Sequence, residues 1–179
     1  MTLRPTAGHE LRDGGGGAME LRALDADDWQ LLRDVRLRAL KDSPAAYLAD
    51  YEDEESWPEA NWRRRFAGSL WVVAQEGDRV FGLARAVRVD ERPPDERHFE
   101  SVWVDPGDRG TGALRAMLRY LEDAEPRITD WLVWVLNDNV PARKVYERLG
   151  FHPTGERQPL ADGSGRSEIR FRFRTDGAE

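Results

Sequence analysis

The sequence of 179 residues predicts an α/β fold: a mixed sheet of about six to seven strands flanked by about four helices. Three observations carry that reading. The run "WLVWVL" at 131–136 is apolar without alternation, as in a strand covered on both faces. Residues 70–90 hold two β-rich runs joined at Gly77-Asp78, the composition of a hairpin turn. Around them, residues 25–43, 111–125 and 139–150 place apolar side chains close to helical spacing.

Taken in order, residues 1–18 are polar and include four consecutive glycines, so they predict a flexible tail ahead of a domain over 19–179. "MELRAL" is the first strand. The segment 25–43 follows as a helix, with Trp29, Leu32, Val35 and Leu40 as its apolar set and acids at its front, where the dipole favours them. "DYEDEESW" reads as an acidic loop. "SWPEANWRRRFAG" reads as a second helix, with Ser56 as its cap and Pro58 in its first turn. After the hairpin, "ERPPDER" is a loop, because two prolines and five charges leave nothing to bury. "HFESVWV", 98–104, is a strand, and "DPGDRG" turns it into the helix 111–125, whose apolar face is Leu114, Met117, Leu118 and Leu121. The strand 131–136 comes next, then a helix over 139–150 stopped by Gly150. "FHPTGERQPL" and "SEIRFRFR" close the chain as two strands, the second alternating Ile169, Phe171 and Phe173.

Composition removes several functions. The formal net charge of -7 argues against a protein that coats nucleic acid, which would carry a basic face. There are no cysteines, so disulfides, thiolate catalysis and Cys-built zinc sites are out. His9, His98 and His152 are too far apart in sequence for metal-ligand spacing, and no metal is expected. The longest apolar run is well short of the roughly 20 residues a membrane span needs. The first 18 residues lack the apolar stretch of a signal peptide, so a cytoplasmic protein is expected.

The joint "WVDPGDRGTGALRAML" holds the chemistry. It runs from strand through Gly110 and Gly112 into a helix, and a helix head offers N–H groups and positive dipole to an anion. Glycines let a phosphate approach the backbone, and Arg109 adds a cation. Two common phosphate loops fail here. Gly107 and Gly112 have the spacing of a Walker loop, but Ala113-Leu114 stand where Lys and Ser/Thr belong. Gly110-Thr111-Gly112 is followed by Arg115 where a dinucleotide loop needs glycine. A purely structural turn is the alternative.

A second constellation, "NDNVPARKVYERLGF", supplies Asn139, Ala142, Tyr146, Gly150 and Phe151. Together with Val104, Pro106, Arg109, Gly110 and Gly112, it resembles the GNAT superfamily of acetyl-CoA-dependent N-acetyltransferases. The resemblance covers about 20–174 by element order, with specific motifs in 102–151. One position departs: the last small residue of the loop pattern is Leu114. The resemblance implies a GNAT-like sheet splayed centrally, between strands 98–104 and 131–136. It implies acetyl-CoA as cosubstrate, with its pyrophosphate on the N–H groups of Arg109, Gly110, Thr111, Gly112, Ala113 and Leu114. The strand Val102-Trp103-Val104 would pair its backbone with the pantetheine arm, and Asn139 would lie near the cofactor or cap its helix.

Transfer to an amine needs a neutral amine and a proton for the leaving thiolate. By family likeness Tyr146 is the candidate acid, against a packing role on the apolar face of its helix. Glu100 is the candidate base, on a strand face shared with Val102 and Val104, and His98 is the other candidate on that face. The carboxylates Asp50, Glu52, Asp53, Glu54 and Glu55 either attract a cationic amine or form a solvated loop. Trp57, Trp62 and Trp71 either wall a pocket or fill the core. The implied function is N-acetyl transfer to a primary amine of a small molecule or peptide, in a direct ternary complex. The alternative is a non-catalytic acyl-CoA sensor on the same fold. Nucleic-acid and membrane partners are not expected; a homodimer fits the habit of relatives.

Overall fold

Seven strands and five α-helices make up residues 18–175, the part of the chain that the computed structural model describes. In order they are β1 (Glu20–Leu24), α1 (Trp29–Asp42), α2 (Tyr51–Glu55), α3 (Glu59–Arg64), β2 (Ser69–Glu76), β3 (Arg79–Val87), β4 (Glu96–Val104), α4 (Ala113–Ala124), β5 (Asp130–Leu136), α5 (Val140–Leu149), β6 (His152–Pro159) and β7 (Ser167–Arg174). The sheet is mixed, in the order β1-β2-β3-β4-β5-β7-β6. The tail expected over 1–18 lies outside the described residues, Ala18 excepted. No helix among the described residues is long and apolar enough to cross a membrane.

Two compact units are distinguishable. The first comprises residues up to Arg85 together with Ser101–Ala124. Its core joins Leu32, Val35 and Ala39 of α1 to Trp62, Trp71, Leu83 and Trp103. Trp62 and Trp71 are therefore core residues, not the wall of a pocket. Helix α4 buries Ala113, Ala116, Met117, Leu118 and Leu121, so its inner face is shifted from the expected one and Leu114 is only half-buried. The helix packs on β2 and β1. At Gly82 of β3, a Cβ would stand 3.0 Å from the Ala74 Cβ and 3.1 Å from the Met117 Cε. Glycine here is a matter of space.

The acidic segment corrects the sequence reading. Tyr51–Glu55 is a helix: the Asp50 side chain accepts the Glu52 N–H at 2.7 Å, and Tyr51 Oη donates to Glu55 Oε1 at 2.6 Å. Glu54 is buried between Arg36 of α1, which donates to both its oxygens at 2.9 and 3.0 Å, and Arg65 at 3.1 Å. Both partners are distant in sequence, which is why composition alone suggests a loop. Ser56 caps the other helix: its hydroxyl donates to the Asp53 carbonyl at 2.8 Å, closing α2, while α3 begins after Pro58.

The second unit comprises Ala86–Glu100 and residues from Glu125 onward. Its centre is β5, where Trp131, Leu132, Val133, Val135 and Leu136 are buried, as an unbroken apolar run requires. On one edge β5 pairs antiparallel with β7 over its full length, from Asp130–Arg174 to Leu136–Glu168. On the other it pairs parallel with β4 only from Glu96–Asp130 to His98–Leu132. Strand β7 departs from simple alternation. Phe171 is buried as expected, but so are Glu168 and Arg170 from the opposite parity. Arg170 is tolerated because it donates to Glu96 at 3.0 Å and Glu156 at 2.6 Å, and Glu96 also receives Arg92 at 2.6 Å. Gly150, at φ 99°, ends α5 as predicted, and a Cβ there would also press on the Phe173 ring at 3.3 Å.

Candidate active site

The predicted site residues fall into two sets, each within one unit. In the first unit, β4 passes into a short turn over Pro106–Asp108, fastened by the Asp105 carboxylate on the Gly107 N–H at 3.1 Å. Thr111 then donates its hydroxyl to the Asp108 carbonyl at 2.7 Å. Gly110 and Gly112 have φ of 83° and 89°, a region that side chains other than glycine enter at a cost, and no atom lies within 4 Å of a Cβ built on either. The earliest bond of α4 runs from the Ala116 N–H to the Gly112 carbonyl. The N–H groups of Gly112, Ala113 and Leu114 therefore precede the helical ladder, at the positive end of the dipole. This arrangement suits a diphosphate.

The charge at the loop is tied down. Arg109 pairs through Nη2 with Asp42 at the end of α1 and donates from Nε to the Val104 carbonyl at 3.1 Å. The same Asp42 carboxylate accepts the Trp103 indole N–H at 3.1 Å. Tyr47, in the turn after α1, donates its hydroxyl to the Val102 carbonyl at 2.8 Å. Alternate residues of a strand present their carbonyls to one edge. The edge of Val102 and Val104 thus carries side-chain donors on both carbonyls. Neither Asp42 nor Tyr47 stands out in the sequence, for nothing in "KDSPAAYLAD" marks a contact some 55 to 67 residues away.

In the second unit, β4 carries His98, Phe99 and Glu100, and α5 faces them. Tyr146 is buried, edge-on to the Phe99 ring at 6.5 Å and to the Phe151 ring at 5.6 Å. His98 lies between two carboxylates, its Nε2 3.5 Å from Glu96 Oε1 and its Nδ1 3.9 Å from Glu100 Oε1. Burial pushes the imidazole pKa down from 6.5; Glu100 pulls it up, and Arg170 adds to the lowering. The Glu100 side chain is 43% exposed, in reach of solvent. Asn139 caps α5, its side-chain oxygen accepting the Ala142 N–H at 3.1 Å. Between Glu100 and Val102 the backbone departs from the pleat: Ser101 has φ 52°. Side-chain alternation counted across that residue loses its meaning, so Glu100 and His98 do not inherit a face from Val102 and Val104.

Comparison with known proteins gives the family. The family model described as the Acetyltransferase (GNAT) family matches residues 33–151. N-alpha-acetyltransferase RimI of Mycobacterium tuberculosis is 30% identical over 145 residues, covering 77% of this chain and 91% of that protein. An uncharacterized Mycobacterium leprae protein is 32% identical over 117 residues, or 64% of this chain, and the match spans only 32% of that relative's length. Among solved structures, the ribosomal-protein-S5-alanine acetyltransferase of Vibrio fischeri superposes with a TM-score of 0.73 at 13% identity, over 97% of this chain and 100% of that one. A Salmonella typhimurium acetyltransferase solved with acetyl-CoA superposes at 0.63 with 21% identity, over 90% and 96%. With the family model spanning residues 33–151 and a relative 30% identical over 77% of this chain, the chain belongs to the GNAT family of acetyltransferases.

Proposed function

We propose that the protein transfers an acetyl group from acetyl-CoA to the α-amino group at the N-terminus of a polypeptide. The observation that carries the coenzyme assignment is the helix head at Gly110–Leu114, with two glycines in left-handed conformation and N–H groups ahead of the helical ladder. The pantetheine arm would lie along Val102-Trp103-Val104, with Tyr47 and Arg109 yielding or sharing the carbonyls they now cap. The α-amine follows from the RimI relative and from energetics. Such an amine, with pKa near 8, is brought to its neutral form at pH 7 for about 1.4 kcal/mol, against roughly 4.6 kcal/mol for a lysine.

The neutral nitrogen attacks the thioester carbon, the C–S bond breaks, and the thiolate takes the phenolic proton of Tyr146. Glu100 accepts the proton that the amine loses, with His98, held largely neutral by its burial, as the neighbouring base. Cysteine is absent from the sequence, so no acyl-cysteine intermediate forms. Thiol release from acetyl-CoA, measured across peptides with free N-termini, lysine side chains and small amines, tests the reading. Turnover confined to α-amines supports it. Tight coenzyme binding with no turnover on any amine makes the protein an acyl-CoA sensor instead.

A further inference from the structure

The phosphate loop contains two carboxylates, Asp105 and Asp108, where an anion is to bind. Each is matched by a guanidinium from another element. Arg38 of α1 reaches Asp105 at 3.3 Å, and Arg79, at the start of β3, grips Asp108 through both terminal nitrogens at 2.7 and 2.9 Å. The third pair is Arg109 with Asp42. Arg79 also reaches Glu76 at 3.3 Å, so three guanidiniums stand against four carboxylates; these pairs bring no net positive charge to the loop, which leaves the anion to its N–H groups. One more unmatched carboxylate would tip that balance. Asp108 is the critical one, because it is the acid that leads directly into Gly110–Leu114, and its carbonyl accepts both the Thr111 hydroxyl at 2.7 Å and the Thr111 N–H at 3.4 Å. The Asp108 side chain is 17% exposed, and the Arg79 bond holds its carboxyl below the usual range, so it stays charged.

We infer that Arg79 is a positioning residue for coenzyme recognition: by neutralising Asp108 it lets the loop accept a diphosphate, and so sets the preference for acetyl-CoA over acyl donors that lack phosphate. This rests on the coenzyme reading above. Arg79 need not touch the coenzyme. It acts through Asp108, and its effect is specific to the charged part of the donor.

The test is a charge cycle read on two donors, acetyl-CoA and S-acetylpantetheine, with Arg79→Gln, Asp108→Asn and the double variant in the full-length chain. Arg79→Gln should raise KM for acetyl-CoA about ten-fold with kcat held, while KM for S-acetylpantetheine moves less than about two-fold. Asp108→Asn, which leaves Arg79 without that carboxylate, should lower KM for acetyl-CoA, and the double variant should recover most of the affinity that Arg79→Gln loses. Equal losses on both donors, or a double variant as weak as Arg79→Gln, would show that Arg79 only braces the turn and would overturn the inference. Thermal melting of each variant separates misfolding from lost recognition, because a folded Arg79→Gln protein with wild-type KM also overturns it. A wild-type protein that does not prefer acetyl-CoA over S-acetylpantetheine brings down the coenzyme reading itself, and this inference with it.

Discussion

Tyr146 and His98 show how much a single side chain owes to its surroundings. Tyr146 packs between Phe99 and Phe151 and also carries the phenol assigned to the sulfur, so its ring and its hydroxyl have separable duties. Tyr146→Phe keeps the ring. It should lower kcat by about ten-fold or more and leave coenzyme affinity and melting temperature near wild type, as steady-state kinetics under chemistry-limited conditions will report. The sequence names this residue and Phe151 through their motif; the Phe99 side of the aromatic cage comes from a strand some 47 residues away and is not legible there. His98 carries a pH consequence. Its folded pKa lies below 6.5, chiefly because it is buried, so in acid the unfolded chain takes up the proton first. Its contribution to stability is full above pH 6.5 and declines as pH falls from there toward the folded value. His98→Gln removes that dependence, and melting temperatures followed from neutral to mildly acid pH should fall less steeply than in the wild type. Parallel slopes would assign the acid sensitivity to other groups.

At the scale of elements, the chain is most readable where a local signal fixes the backbone. Asn139 with Pro141 opens α5 and Gly150 closes it; Gly77, at φ 56°, turns the hairpin; the apolar run of β5 is buried at all but the half-buried Trp134. It is least readable where the deciding partner is remote. Helix α2 is five residues long and almost wholly acidic, and its stability depends on Arg36 and Arg65 meeting Glu54. Burial alone would raise the Glu54 pKa, but the bonds and charges of those two arginines hold it below its ordinary value. Glu54→Ala removes the buried carboxylate that Arg36 and Arg65 both meet and should cost about 3 kcal/mol in chemical denaturation. The departure at Ser101 has no local signal either, since serine rarely adopts positive φ; the strand bends where the fold requires it.

For the molecule as a whole, the order of elements was legible because periodicity, caps and glycines agree along the chain, and the acetyltransferase motifs sit at the joints those elements create. The placement of charges was not legible. The sequence shows a net charge of -7, but not that each acid of the phosphate loop has its own arginine or that Glu96 and Arg170 lie buried together. Coenzyme binding should be felt throughout the fold. At about 100 times its Kd, CoA contributes about 2.7 kcal/mol to the folded state, which for a chain of this size raises Tm by roughly 5–10 °C. A thermal shift with CoA, set beside adenosine triphosphate with magnesium as control, measures it. No shift with CoA would contradict the coenzyme assignment.

Gly82 has a reach beyond its own strand. Met117 rests directly on it, one turn into the helix whose head carries the loop. A single methyl at position 82 would meet the Ala74 Cβ at 3.0 Å and the Met117 Cε at 3.1 Å, so the tip of Met117 would have to move aside. Gly82→Ala should therefore leave a trace in melting temperature through the seat of Met117, at a strand position far in sequence from the helix it supports.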